Sequence, residues 1–229
     1  MEYRKIAEGI FVKRPNRFIA EVLIDGEVNK CHVKNTGRCK ELLIPGKSKV
    51  YLEDFGTETN RKTRYSLVGV IKNGQIINMD SQAPNQVAYE WLNNKGLYKD
   101  INYLKREKTF GNSRFDIYYK RADNIEGFME VKGVTLEKDG VVMFPDAPTL
   151  RGVKHIHELI KAKKEGYETN ILFVIQMKNV KYFTPNFEMH MEFGQALKLA
   201  YNEGVNIFAV NCNVYKNGFN ILDFVEVRL

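Results

Sequence analysis

Ser113-Arg114-Phe115-Asp116-Ile117-Tyr118-Tyr119 and, shortly after it, Gly127-Phe128-Met129-Glu130-Val131-Lys132 decide how the chain is read. Their alternation and their Tyr, Ile, Val and Phe content predict two β-strands. Side chains alternate faces along a strand, so Glu130 and Lys132 point the same way, about 6.6 Å apart. If the neighbouring strand pairs with its Asp116 face in register, two carboxylates and one ammonium meet on one patch. Two carboxylates hold a hard divalent cation such as Mg²⁺. A lysine beside them orients or activates water and stabilises charge developing on a phosphate. That combination suits phosphodiester hydrolysis. The competing account is a solvated strand face with weak ion pairs, and the acid and E-x-K pattern alone does not separate the two.

The segments around this pair predict an α/β or α+β sheet domain over residues 83–229. Ala83 to Leu92 places Pro near a helix start and Val87, Ala88, Trp91 and Leu92 at helical spacing. Strands follow at about 102–110, 113–120 and 127–136. A second helix runs from Thr149, a plausible N-cap, to Lys164, with Leu150, Val153, Ile156 and Ile160 as its apolar stripe. Asn170 to Gln176 reads as a central strand covered on both faces. A helix at 189–203, a strand at 205–210 and a short C-terminal strand complete the order. Val141 to Pro148 reads as a loop, and loops placed by rigid strands often carry function; Asp146 either joins the site or orients this loop.

Residues 1–82 have a different texture. Short alternating strands are separated by Asp25-Gly26, Pro45-Gly46 and Asn73-Gly74, the turn signals of hairpins. Five or six strands in about seventy residues fit a small all-β barrel of the OB type. This part holds 15 Lys and Arg against 10 Asp and Glu, so +5 of the total net charge of +7. Such an excess is the footprint of a polyanionic partner. Arg14, Arg17, Lys34, Arg38 and Lys40 cluster around the strands with Phe11 and Phe18, both expected in the core. Asn35, Thr36 and Arg38 lie at a turn that projects them outward as contacts.

The whole chain of 229 residues is 44% hydrophobic and 28% charged, the balance of a soluble globular protein. No apolar run reaches membrane-span length and the N-terminus lacks a signal-peptide core, so no membrane partner is expected. Three cysteines, an odd number, point to a reducing cytoplasm rather than a disulfide scaffold. Gly46-Lys47-Ser48 resembles a P-loop ending, but Glu41 stands at the required glycine.

The order of elements, with Asp116 on one strand and Glu130-Val131-Lys132 on the next, resembles the PD-(D/E)xK nuclease superfamily. Phe115 stands where that motif has proline. Four segments also resemble the sugar fermentation stimulation protein A (SfsA) family: Asn35-Thr36-Gly37-Arg38, Ser113 to Asp116, Phe144 to Thr149, and Arg151-Gly152-Val153-Lys154-His155. This likeness covers nearly the whole chain. It implies an OB-like domain followed by a nuclease-like domain, sequence-independent DNA binding, and a regulatory link to sugar (maltose) utilisation. On this basis Asp116, Glu130 and Lys132 are the expected catalytic set. Asp116, Glu130, the carbonyl of Val131 and Glu90 are the expected ligands of Mg²⁺ or Mn²⁺. Arg114 shares the Asp116 face and either touches phosphate or pairs with Asp116. Arg151, His155 and Glu158 share a helix face away from the apolar stripe; Arg151 and His155 are expected nucleic-acid contacts together with Arg17, Asn35, Thr36, Arg38 and Arg114. The expected partner is DNA, with RNA left open. The alternative function is a non-catalytic DNA-binding regulator of sugar metabolism.

Overall fold

Asp25-Gly26 and Asn73-Gly74 turn the chain as expected. Their φ angles are 50°, 85°, 50° and 76°, as in the type I′ turns that match the twist of paired strands. The computed structural model describes residues 1–35, 37, 39–58 and 60–229. The first third forms β1 (Ile6–Asn16), β2 (Ile19–Ile24), β3 (Glu27–Val33), β4 (Lys49–Asp54), β5 (Tyr65–Lys72) and β6 (Gln75–Asn78). The sheet order is β3-β2-β1-β4-β5-β6, and β3 also pairs with β5 in parallel. Five strands therefore close into a barrel, and β6 joins β5 as its hairpin partner. Closure leaves no free edge among the five. Phe11, Val22, Cys31, Leu52 and Leu67 fill the interior. Phe18 does not: it is 45% exposed, because it sits in the two-residue turn between β1 and β2 rather than in a strand.

The remainder is a mixed sheet with three helices: α1 (Ala83–Asn93), β7 (Ile101–Phe110), β8 (Ser113–Arg121), β9 (Glu126–Val134), β10 (Glu137–Lys138), β11 (Val141–Phe144), α2 (Leu150–Lys164), β12 (Glu168–Ile175), β13 (Tyr182–Pro185), α3 (Met191–Asn202), β14 (Asn206–Tyr215) and β15 (Gly218–Val227). The nine strands lie in the order β10-β11-β13-β15-β14-β12-β9-β8-β7, with β9, β12 and β14 parallel at the centre. Alternate residues of β12 serve opposite faces. Leu172 and Val174 pack in the cluster that holds Val87, Ala88 and Leu92 of α1, whereas Ile171 and Phe173 pack with α2 and α3. The continuous apolar run of β12 follows from burial on both faces. Half of the expected loop at 141–148 is instead strand β11, which pairs in parallel with β13. Its four residues are too few to show a period. The C-terminal strand is also longer than expected, ten residues in a hairpin with β14.

A buried polar network fixes the barrel against the carboxyl ends of β9 and β12. The Gln176 side chain donates to the Asn78 side chain (2.7 Å) and to the Asp80 carbonyl (3.0 Å), and Asn78 donates to the Tyr3 hydroxyl (2.8 Å). Lys34 reaches the Asp80 carboxylate at 2.8 Å and Glu53 at 3.4 Å. Lys34, one of the basic cluster, is therefore an internal counter-ion. Residues 1–3 cross to the second sheet, where Tyr3 donates its N–H to the Asn217 carbonyl at 2.7 Å and Glu2 bridges Gly218.

Candidate active site

Strand β8 pairs with β9 only as far as Ile117 and Met129. Beyond that point alternation breaks: Phe115 joins the core on the α2 side, while Ile117 joins the core under α1. Asp116 sits at this break. The Val131 N–H donates to Asp116 Oδ2 (2.8 Å), and Asn85 at the start of α1 donates to Oδ1 (2.7 Å). Glu130 and Lys132, two residues apart on β9, share a face as the strand period requires: Lys132 Nζ lies 2.5 Å from Glu130 Oε1. His155, on the second turn of α2, brings Nδ1 to the same oxygen at 2.5 Å.

Glu130 is 3% exposed and carries both donors on Oε1; its Oε2 is buried with no hydrogen-bond partner. The two acids are pushed apart. Burial, then the negative charge of Glu130, raises the Asp116 carboxyl to about 6. Burial also opposes ionisation of Glu130, but the His155 hydrogen bond and the Lys132 charge outweigh it and hold Glu130 below the usual carboxylate range. An orphaned buried acceptor beside a second carboxylate with a raised pKa is an anionic centre short of positive charge, and a hard divalent cation fits it. Among the described residues no group of three or more His, Cys, Asp and Glu side chains is gathered for a metal. A two-carboxylate set suits a divalent cation that keeps several of its waters.

Glu90 does not join this centre. It lies five residues beyond Asn85, about 140° around the helix, and its carboxylate pairs with the Met1 ammonium at 2.7 Å and accepts from Gln86. Asn85 is the α1 residue that faces Asp116. Arg114 turns to Glu107 at 3.4 Å rather than to Asp116. Val131 supplies its N–H to Asp116, and its side chain is buried under α1. On α2, Thr149 caps the helix by accepting from Gly152 N. Leu150 is 74% exposed, and His155, expected on the polar face, is 6% exposed. Of its buried residues Gly152, His155, Ile156, Leu159, Ile160 and Ala162, the first five form one stripe. That is the i, i+3, i+4, i+7, i+8 pattern of a core-facing helix, visible in the sequence once His155 is counted with the apolar residues. Arg151 is exposed and donates Nε–H to His155 Nε2 at 3.4 Å. Glu158 lies against Gly111 at the β7–β8 turn.

On the barrel, a groove of about 590 Å³ is lined by Lys13, Arg14, Arg17, Lys40 and Ile44 with Phe11 at its base. Arg17 stacks over the exposed Phe18 ring at 4.8 Å. Asn35 is half-buried, not projected: its side chain accepts from Gly37 N (2.8 Å), and its carbonyl accepts from Arg14 (2.5 Å). Thr36 and Arg38 lie outside the described residues. A second cavity, about 170 Å³, separates barrel from sheet and is lined by Asn35, Ser81, Gly133, Thr135, Asp146 and Gln176. It opens at the carboxyl ends of β9 and β12, the end of a parallel sheet where ligands bind.

Two family models match the chain: the SfsA N-terminal OB domain over residues 12–79 and the sugar fermentation stimulation protein RE domain over residues 82–218. A sugar fermentation stimulation protein homolog of Desulfitobacterium hafniense (strain Y51) is 54% identical, covering 100% of this chain and 99% of the relative. A homolog of Clostridium beijerinckii is 53% identical over the full length of both. The solved structure of Pyrococcus furiosus SfsA in complex with Ca²⁺ superposes with a TM-score of 0.89 at 29% identity, covering 100% of this chain and 98% of that one. With an OB barrel and an RE-type domain in that order along its length, this chain belongs to the sugar fermentation stimulation protein (SfsA) family.

Proposed function

We propose that this protein binds DNA without sequence preference and hydrolyses phosphodiester bonds with Mg²⁺ or Mn²⁺, in the cytoplasm. The observation that carries the catalytic part is the oxygen inventory of Glu130: both cationic donors sit on Oε1, Oε2 is left buried and unpartnered, and the carboxylate is near enough to Asp116 for its charge to raise that acid. Asp116 and Glu130, with the Val131 carbonyl, are the residues that would hold the ion, and a related structure carries Ca²⁺. An ion held there would polarise the scissile phosphate and lower the pKa of an attacking water. Asn85 and the Val131 N–H keep Asp116 turned into the site. Lys132, anchored on Glu130, presents its ammonium to charge developing on the phosphate. The test is incubation of the purified protein with single- and double-stranded DNA and RNA in Mg²⁺ and in Mn²⁺. Metal-dependent cleavage is expected, and its absence on every substrate would sink the catalytic reading.

Binding is assigned to the barrel groove lined by Arg17 and Lys40, with the exposed Phe18 ring against the Arg17 guanidinium. Basic residues beside a stacking ring track a strand irrespective of sequence. The logarithm of DNA affinity should fall linearly with the logarithm of salt concentration, by about 0.7–0.9 per phosphate neutralised. A flat dependence would remove the polyanion reading. Phe18→Ala, a change at an exposed turn, should leave thermal stability within about 0.5 kcal/mol. It should weaken single-stranded DNA binding by about 1–3 kcal/mol, measured by fluorescence anisotropy.

The alternative is a regulator of sugar metabolism that binds DNA without cutting it. The loss of Glu90 from the centre, which leaves two acids there, favours this second reading. Full binding with no cleavage in either metal would select it.

A further inference from the structure

The polar contacts of Glu130 raise a question of selection: what decides which of its two oxygens stays open? Lys132 alone cannot, because a long flexible ammonium can follow either oxygen. His155 is different. Its ring is buried, packed edge-on against Phe115 at 6.3 Å, and carried on a helix whose other buried residues lock its position. Its Nδ1 faces Glu130 Oε1 at 2.5 Å, and its Nε2 accepts from Arg151 Nε at 3.4 Å. An acceptor role at Nε2 leaves the ring proton on Nδ1, where it is donated to the carboxylate.

We propose that His155 is a positioning residue: by holding Glu130 through Oε1 it keeps Oε2 turned into the centre as a cation ligand, with Arg151 fixing the ring tautomer. This inference rests on the metal reading above and deepens it. His155 is thereby moved from the nucleic-acid surface to the support of the acid. Outer partners of this kind orient ligating groups, and their removal typically costs 10–100-fold in metal affinity.

The experiment measures cation binding without nucleic acid, by calorimetric titration of Mg²⁺ and of Mn²⁺ into the full chain and its variants. His155→Ala should bind about 10–100-fold more weakly. His155→Asn places an amide N–H where Nδ1 stood and should recover most of that loss. His155→Gln places its amide where Nε2 stood and should not. Both polar variants remove the same ring from the same core, so a merely structural role would move them equally. Nitrogen-15 spectra of the wild-type histidines should show His155 protonated at Nδ1 with Nε2 as the bare acceptor. Asn and Gln variants with equal affinity, an alanine variant that binds like wild type, or a proton on Nε2 would each overturn the assignment while leaving the metal site standing. A wild-type chain that binds neither cation would overturn the metal reading, and this inference with it.

Discussion

Asp116→Asn is expected to lower metal-dependent DNA cleavage by on the order of 10³-fold, the scale on which single preorganised electrostatic groups act, while the protein folds and binds DNA as before. The folding half of that expectation comes from the state of the acid. Burial and the Glu130 charge already disfavour the Asp116 carboxylate, whose pKa is raised to about 6. A neutral amide removes that conflict and can still accept from the Val131 N–H. The binding half follows from location, since Arg17 and Phe18 lie on the barrel and Asp116 lies on β8. Single-turnover cleavage with anisotropy on the same samples measures both. Lys132→Ala should lose about 10²–10³-fold in rate and also retain binding. A variant that cuts at the wild-type rate would show that the chemistry lies elsewhere.

Asp80→Ala should cost about 3–5 kcal/mol of stability, measured by denaturant unfolding. Asp80 is 1% exposed. Its carboxylate takes the Lys34 ammonium at 2.8 Å, the Tyr3 hydroxyl at 3.4 Å and the Gln82 N–H at 3.0 Å. Removing it leaves a largely buried ammonium whose remaining acid partner among the described residues is Glu53, at 3.4 Å, and breaking a buried pair from one side is the costly case. Replacing Lys34 and Asp80 together by apolar residues of similar volume should recover much of the loss. A single-variant cost under about 1 kcal/mol, the range of exposed pairs, would show that this network does not fasten the barrel to the sheet.

The parts of the fold that sequence makes legible are those governed by local period and turn chemistry. Asp25-Gly26 and Asn73-Gly74 announce their hairpins because their positive φ suits few other residues. Strands β8 and β9, helix α2 and the central run of β12 follow from spacing. Strands β11 and β13, four residues each, exist because they pair with each other across forty residues of chain, and no local pattern records such a partner. Phe18 and Leu150 lie outside the core for a related reason. Both are apolar in patterned segments, but each sits at an element's end, where the chain has left the core.

The site divides in the same way. Glu130 and Lys132 share a face because they are two residues apart on a strand, and that much the chain dictates by itself, together with the two-part layout and the basic barrel. Tertiary structure alone decided what converges on them. It placed Asp116 at the break in β8–β9 pairing, brought Asn85 rather than Glu90 to it, sent Arg114 to Glu107, and buried His155 against Glu130. The physical reason is range. Side-chain direction within one element is set by backbone period, whereas contact between elements depends on how each helix is rotated as its buried face packs, and that rotation is settled only when the whole core closes.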